Sequence, residues 1–257
     1  MRVRRALRPY RENPRLLTSR FGERTELWTE TTGALPAVYG ERWREFDGRQ
    51  FRLFDPNRSK LSAALVRGWS GDIPRPGERW LYLGAASGTT ASHVADLVGP
   101  SGRVYAVEKS ARPFARLYAL SERWPNLLPV LADARAPEEY ADLVPPVDGL
   151  YADIAQPDQV DIGRQNAALF LRGKGRPLLI ALKASSMGRT RTPAAHLARG
   201  EELLGGVVDL AESVKLDPFH RAHYLVGGSA RPELFREEHP GPRLTSPAGR
   251  FRERRRR

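Results

Sequence analysis

The sequence contains no cysteine among its 257 residues. That excludes a disulfide framework, a thiolate zinc site, an iron–sulfur cluster and a cysteine nucleophile. No apolar run reaches the roughly 18–20 residues of a membrane span. The opening stretch MRVRRALRPYRENPR is basic and lacks the apolar centre of a secretory signal. The expectation is a soluble cytoplasmic protein with no membrane contact. Lysine is scarce too. Among 42 basic residues only Lys60, Lys109, Lys174, Lys183 and Lys215 are lysine. Arginine stays protonated under ordinary conditions, whereas a desolvated lysine shifts its pKa readily. In a chain that writes arginine almost everywhere, each retained lysine marks a position to examine.

Acidic residues are also few: 42 Lys+Arg face 30 Asp+Glu, a formal charge of +12. A surplus of this size attracts polyanions, nucleic acid first. A GC-rich coding sequence also inflates arginine, so charge alone does not decide the partner.

The first 35 residues are Arg-rich without a clear period and read as a basic lead-in arm, 1–35. Residues 36–72 read as a hairpin and helix module. Asp47-Gly48 separates two aromatic-bearing runs, the signature of a tight hairpin. Asp55-Pro56-Asn57 is a turn, Ser59 an N-cap, and Leu61, Leu65 and Trp69 follow helical spacing. From 73 to 228 the runs WLYLG, RVYAVE, LLPVLAD, VDGLYAD and PLLIALK alternate with helix-compatible segments. Such alternation implies a mostly parallel sheet with helices on both faces. Strand-like VVDLAESVKL and HYLVG bring the total to about seven strands, the last two antiparallel. Residues 229–257 are rich in Pro, Gly and Arg and read as a tail that does not pack.

Chemistry concentrates at strand ends. Gly84-Ala-Ala-Ser87-Gly88-Thr89-Thr90 follows WLYL and opens a helix, so the backbone can turn tightly and offer free N–H groups to a ligand. Glu108 ends the next strand, where an acid accepts hydrogen bonds from a ribose diol, and Asp133 with Ala134 ends the third. Ligands of such sheets bind beyond the carboxyl ends of the strands, so these positions together suggest an adenosine-bearing cofactor. Asp153 and Gln156 follow the fourth strand, and Lys183 ends the fifth. A lysine closing an apolar strand is costly to desolvate without a carboxylate nearby; Asp153 on the adjacent strand is the expected partner.

The segments NRSKLSAA, ASGTTASH, VYAVE, DAR, ADIAQPDQ, LIALKASS and LDPFHRAHYLVG resemble, in order, fibrillarin and its archaeal fibrillarin-like homologues. The similarity runs from about Val38 to Gly228. The resemblance implies a Rossmann-like class I methyltransferase that uses S-adenosyl-L-methionine for guide-directed 2′-O-methylation of rRNA and tRNA. The implied partners are a box C/D-type guide RNA, a Nop-family scaffold and a kink-turn-binding ribosomal-type protein. It implies cofactor contacts at Gly84, Ser87, Gly88, Thr89, Thr90, Glu108, Lys109, Asp133, Ala134, Asp153 and Gln156. Its Lys-Asp-Lys-His catalytic set falls on Lys60, Asp153, Lys183 and His223, and no metal is implied. Lys109 stands where the family usually has phenylalanine near the adenine. The lead-in to Trp28 and the tail after Gly228 look like additions.

Two rival readings stand beside this one. A Rossmann oxidoreductase is disfavoured because the turn lacks G-x-G-x-x-G. An RNA-binding homologue with weakened or lost cofactor binding is motivated by Lys109.

Overall fold

Apolar residues come in adjacent pairs along the first strands, and the computed structural model shows why. The structure describes residues 7–11, 13–21, 24–33, 38–188 and 191–236. Strands β1 (Arg8–Tyr10), β2 (Asn13–Phe21), β3 (Arg24–Glu30), β4 (Trp43–Phe46) and β5 (Arg49–Leu53) form an antiparallel sheet in the order β1-β2-β3-β5-β4. The expected basic arm is therefore corrected: residues 8–10, 13–21 and 24–30 are strands of this sheet. Both faces of the sheet are covered. Leu16 and Leu27 pack into a large cluster shared with the rest of the chain. Their neighbours Leu17 and Trp28 pack with Leu7 and Phe51 in a small cluster on the other face. Two-sided burial erases the alternation that marks a strand with one wet face.

The hairpin between β4 and β5 closes on Asp47 (φ 53°) and Gly48 (φ 68°), and Phe46 pairs with Arg49. Two consecutive positive φ values match the right-handed twist of the flanking strands. Helix α1 (Lys60–Val66) follows, and the Ser59 hydroxyl caps it by accepting from the Ser62 amide.

The main sheet contains β6 (Arg79–Leu83), β7 (Arg103–Glu108), β8 (Leu127–Leu131), β9 (Gly149–Ala152), β10 (Pro177–Lys183), β11 (Val208–Leu210), β12 (Val214–Lys215) and β13 (His223–Ala230). Its order is β11-β13-β10-β9-β6-β7-β8, with β12 also on β13. Strands β6 to β10 run parallel, and β13 runs antiparallel to β10. The run VVDLAESVKL is not one strand but two short ones on β13. Helices α2 (Thr89–Val98), α3 (Ala111–Ser121), α4 (Gln159–Phe170) and α5 (Pro193–Gly205) cover the faces. The segment Pro137–Leu143, expected as helix, is 3₁₀ with a kink at Tyr140.

The boundary expected at 228 falls inside β13, and Leu234 beyond it is buried. The packed chain thus continues to residue 236, and the rest of the expected tail lies outside the described residues.

The N-terminal sheet is not a separate module, because Leu16, Leu27, Phe54 and Leu61 share one cluster with Trp80, Val94 and Val104 of the main sheet and α2. A buried charge network reinforces the seam. Arg52 of β5 donates to Asp96 of α2 at 2.7 Å, to Glu41 at 2.6 Å and to Ser92 at 2.8 Å. Asp96 also accepts from Thr29, from the Thr32 amide and from the Trp124 indole, each at 2.9 Å. The helix that begins at the glycine turn is thereby fixed to the preceding sheet.

Candidate active site

Strand order reverses between β6 and β9, and a crevice opens beyond their carboxyl ends, where doubly wound sheets bind ligands. Gly84 follows β6 there with φ 77°, and a Cβ would lie 2.4 Å from the Asp153 carbonyl oxygen. Only glycine allows this left-handed turn and close approach. The Asp153 amide in turn donates to the Leu83 carbonyl at 2.9 Å, so the two strand ends hold each other.

A cavity of about 220 Å³ lies over this junction, lined by Gly84, Ala86, Glu108, Lys109, Asp133, Ala134, Asp153 and Gln156 among others. Glu108 is almost fully buried. Its carboxylate accepts from the Ala86 amide at 3.0 Å and the Ser110 amide at 2.7 Å. Lone pairs remain for a further donor. Lys109 sits at the mouth, its ammonium 3.4 Å from Asp133 Oδ2. Arg135 spans the opening, donating to Gln156 Oε1 at 3.0 Å and to both oxygens of Asp158 at 2.9 and 2.7 Å. The Arg135 hydrogen bonds hold the Asp158 carboxyl below the usual range.

Not every residue expected at this cavity lines it. Ser87 and Thr89 line a different one, of about 580 Å³, on the α3 side of the turn. Gly88 (φ 89°) caps α2 against Leu117 and Leu120, which a Cβ would strike at 2.9 and 2.6 Å. Thr90 is buried, and its hydroxyl donates to Ser59 at 3.1 Å.

That last bond sets the start of α1 beside the sheet. Lys60, the first residue of α1, donates to Asp153 Oδ1 at 2.7 Å and Oδ2 at 2.9 Å. This corrects the partner expected from the sequence: Asp153 pairs with Lys60 rather than Lys183. Adjacent strands in a parallel sheet put Lys183 near the Asp153 end, but a residue from outside the sheet reaches the carboxylate. Among the described residues the Lys183 ammonium makes no salt bridge. Its backbone is firmly held instead. Gln159 accepts from the Lys183 amide at 2.8 Å and donates to its carbonyl at 3.1 Å.

Lys183 lies opposite His223 in the β10–β13 register. His223 Nδ1 donates to the Arg221 carbonyl at 2.8 Å. In the neutral ring Nε2 is then the acceptor. Burial pushes the His223 pKa down and the Arg221 carbonyl pushes it up; Lys60 lowers it further while Asp153 raises it. The four residues of the expected Lys-Asp-Lys-His set thus come from α1, the end of β9, the end of β10 and the start of β13.

Sequence reasoning passed over two residues here. Gln159, in the motif that also carries Asp153, is fully buried and reads both backbone groups of Lys183. His220, three residues before His223, donates from Nε2 to the Pro56 carbonyl at 2.9 Å, joining the β13 loop to the turn before Lys60. Burial lowers its pKa and Lys60 lowers it further. A second histidine in so histidine-poor a chain was the available signal.

A model of the family described as Fibrillarin matches residues 12–232. The chain belongs to the fibrillarin family. The match begins well before Trp28, so most of the lead-in expected as an addition lies within the family's own span. Among curated relatives, the fibrillarin-like rRNA/tRNA 2′-O-methyltransferase of Aeropyrum pernix is 45% identical over 190 residues, covering 74% of this chain and 81% of the relative. Among solved fibrillarins, that of Aeropyrum pernix in complex with natively bound S-adenosyl-L-methionine superposes with a TM-score of 0.78 at 39% identity, covering 88% of this chain and 98% of the other. A chain of a fibrillarin/Nop5p complex gives a TM-score of 0.72 at 39% identity, with coverages of 80% and 94%.

Proposed function

We propose that this chain is the catalytic subunit of a box C/D-type guide ribonucleoprotein, transferring a methyl group from S-adenosyl-L-methionine to ribose 2′-hydroxyls of rRNA and tRNA. The observation that carries the reading is the Lys60–Asp153 pair at the rim of the switch-point cavity. The cavity's donor set suits an adenosine: Glu108 for the ribose diol and Asp133 with Ala134 for the base, with Gln156 and Asp153 toward the reacting end. When bound, that cofactor supplies an activated sulfonium methyl.

The chain's own residues handle the other reactant, a weak hydroxyl nucleophile whose proton must leave and whose negative charge must be stabilised. Asp153 orients the hydroxyl, and Lys60 neutralises Asp153 so that its charge does not oppose the nascent alkoxide. Lys183, free of a salt bridge among the described residues and held at its backbone by Gln159, stands nearest the hydroxyl and takes up its proton as the oxygen accepts the methyl group. His223 offers Nε2 as a hydrogen-bond acceptor. Much of the acceleration comes from holding these groups in line.

The described fold shows no appended RNA-recognition module, which fits sequence selection by guide pairing and backbone recognition by a basic surface. The scaffold partner follows from the family's fibrillarin/Nop5p complex, and a kink-turn-binding ribosomal-type protein completes the particle. The test is reconstitution with guide RNA and scaffold proteins. Intact protein should transfer methyl to the target ribose, and Lys183→Ala and Asp153→Ala should not; transfer persisting in both variants overturns the reading.

A further inference from the structure

The cavity holding Ser87 and Thr89 has a character that the adenosine site does not require. It measures about 580 Å³ and is lined by Val38, Tyr39, Arg58, Arg116, Leu120 and Arg123 as well as the two hydroxyl residues. Three arginines line it, of which Arg123 also lies over the Trp124 ring at 5.3 Å, and among the described residues no carboxylate lines it. Elsewhere Arg42, Arg49, Arg75, Arg135, Arg199 and Arg231 each sit against an acid. Arg58 and Arg116 have no salt bridge among the described residues, and Arg58 lies over the Tyr39 ring at 5.5 Å.

The arginines are placed by sequence periodicity. Arg112, Arg116, Ala119 and Arg123 fall at i, i+4, i+7 and i+11 along α3 and its following turn, which puts them on one helix face. Arg112 and Arg116 are exposed, whereas Leu117 and Leu120 are buried beneath the same helix. From the other side the turn before α1 presents Arg58, two residues from Lys60. The Ser59–Thr90 bond forms the partition: Arg58 and Thr89 lie next to it on this cavity, and Lys60 follows Ser59 to the Asp153 carboxylate. The floor is the start of α2, whose N-cap Gly88 provides no side-chain hydrogen bond. The guanidiniums of Arg58 and Arg116, the hydroxyls and a helix N-terminus all favour oxyanions.

We propose that this cavity is a phosphodiester-binding groove that holds the RNA backbone flanking the nucleotide to be methylated, with Arg58 and Arg116 as its principal contacts. The proposal rests on the RNA methyltransferase reading and adds the subsite that seats the strand. A groove of this breadth with several cations suits a run of phosphates better than the single carboxylate of the cofactor. Its contacts carry no base information, so they position the strand and leave selection to pairing.

The test uses the full chain and a fluorescently labelled RNA duplex of guide–target type, with binding followed by anisotropy across a salt series. Arg58→Gln and Arg116→Gln should each weaken binding several-fold and lower the slope of log affinity against log salt by about 1. Arg116→Glu should weaken it further. Arg199→Gln, on an arginine already paired with Glu202, should change neither quantity. S-adenosylhomocysteine affinity, measured by titration calorimetry, should stay within about twofold in both groove variants. Unchanged slopes in the Arg58→Gln/Arg116→Gln double variant overturn the groove. So does a loss of S-adenosylhomocysteine affinity in step with RNA affinity, which assigns the cavity to the cofactor. Failure of the intact protein to bind the duplex even at low salt also overturns the groove, whereas failure of methyl transfer in the reconstituted particle refutes the underlying function, a result distinct from these.

Discussion

Replacing Lys60 by methionine removes one charge from the site while keeping an unbranched side chain of similar reach. The ammonium lies 2.7 and 2.9 Å from the two Asp153 oxygens, and the two side chains are 23% and 17% exposed. Opposite charges at about 4 Å attract by roughly 4 kcal/mol at an effective dielectric near 20. The entropy of fixing two side chains and partial access to water reduce the contribution to folding to about 1 kcal/mol. That corresponds to a fall of roughly 2–4 °C in Tm for a chain of this size. The chemical step should suffer more. Without Lys60 the Asp153 carboxylate is uncompensated beside an oxygen that is itself becoming negative. Loss of one preorganised electrostatic contact typically costs about 10²–10³ in rate. Single-turnover methyl transfer in the reconstituted particle should therefore slow by about that factor in Lys60→Met. Affinity for S-adenosylhomocysteine should change by no more than about threefold, because Lys60 does not line the adenosine cavity. A rate loss below tenfold, or one matched by an equal loss of cofactor affinity, refutes the electrostatic role.

Gly84→Ala forces a left-handed residue and a Cβ 2.4 Å from the Asp153 carbonyl; the backbone conformation alone costs about 1–2 kcal/mol. Calorimetry should show at least a tenfold loss of S-adenosylhomocysteine affinity, and wild-type affinity would contradict the close-approach argument. Lys109→Ala frees Asp133 from its 3.4 Å ion pair at the cavity mouth; tighter S-adenosylhomocysteine binding, by about threefold, is expected, and weaker binding would show that Lys109 assists the cofactor. Burial and the Arg52 charge hold the His93 pKa well below its ordinary value, despite Asp96 at 4.0 Å. Its neutral ring is therefore stabilising above the unfolded value of about 6.5, and that stability drains as pH falls from there toward the folded pKa, by at most about 1.4 kcal/mol per pH unit. His220 and His223 shift in the same direction and act in the same window. Urea denaturation should show a stability decline from pH 7 to 5 that flattens in His93→Gln; a flat wild-type profile argues against a buried neutral His93.

The parallel sheet, the glycine turn and the strand-end acids were legible in the sequence because each is a local pattern. Short apolar runs alternate with amphipathic segments, and ligand-binding residues fall where strands stop. Ser59 as a cap and Asp47-Gly48 as a hairpin turn were equally local, and the structure has both. The N-terminal sheet was not legible, because burial on both faces places Leu16 beside Leu17 and Leu27 beside Trp28, removing the alternation that identifies a strand. Nor could spacing reveal that Lys60 lies against Asp153, 93 positions later.

The sequence by itself determined which elements form and which residue types stand at their ends, since φ/ψ preference, capping and periodicity act over a few residues. Tertiary structure alone decided the partners. It gave Asp153 to Lys60, gave the Lys183 backbone to Gln159, and divided the glycine turn between two cavities. Those outcomes depend on how α1 and α4 dock against the sheet, and docking is fixed by the summed packing of residues far apart in the chain.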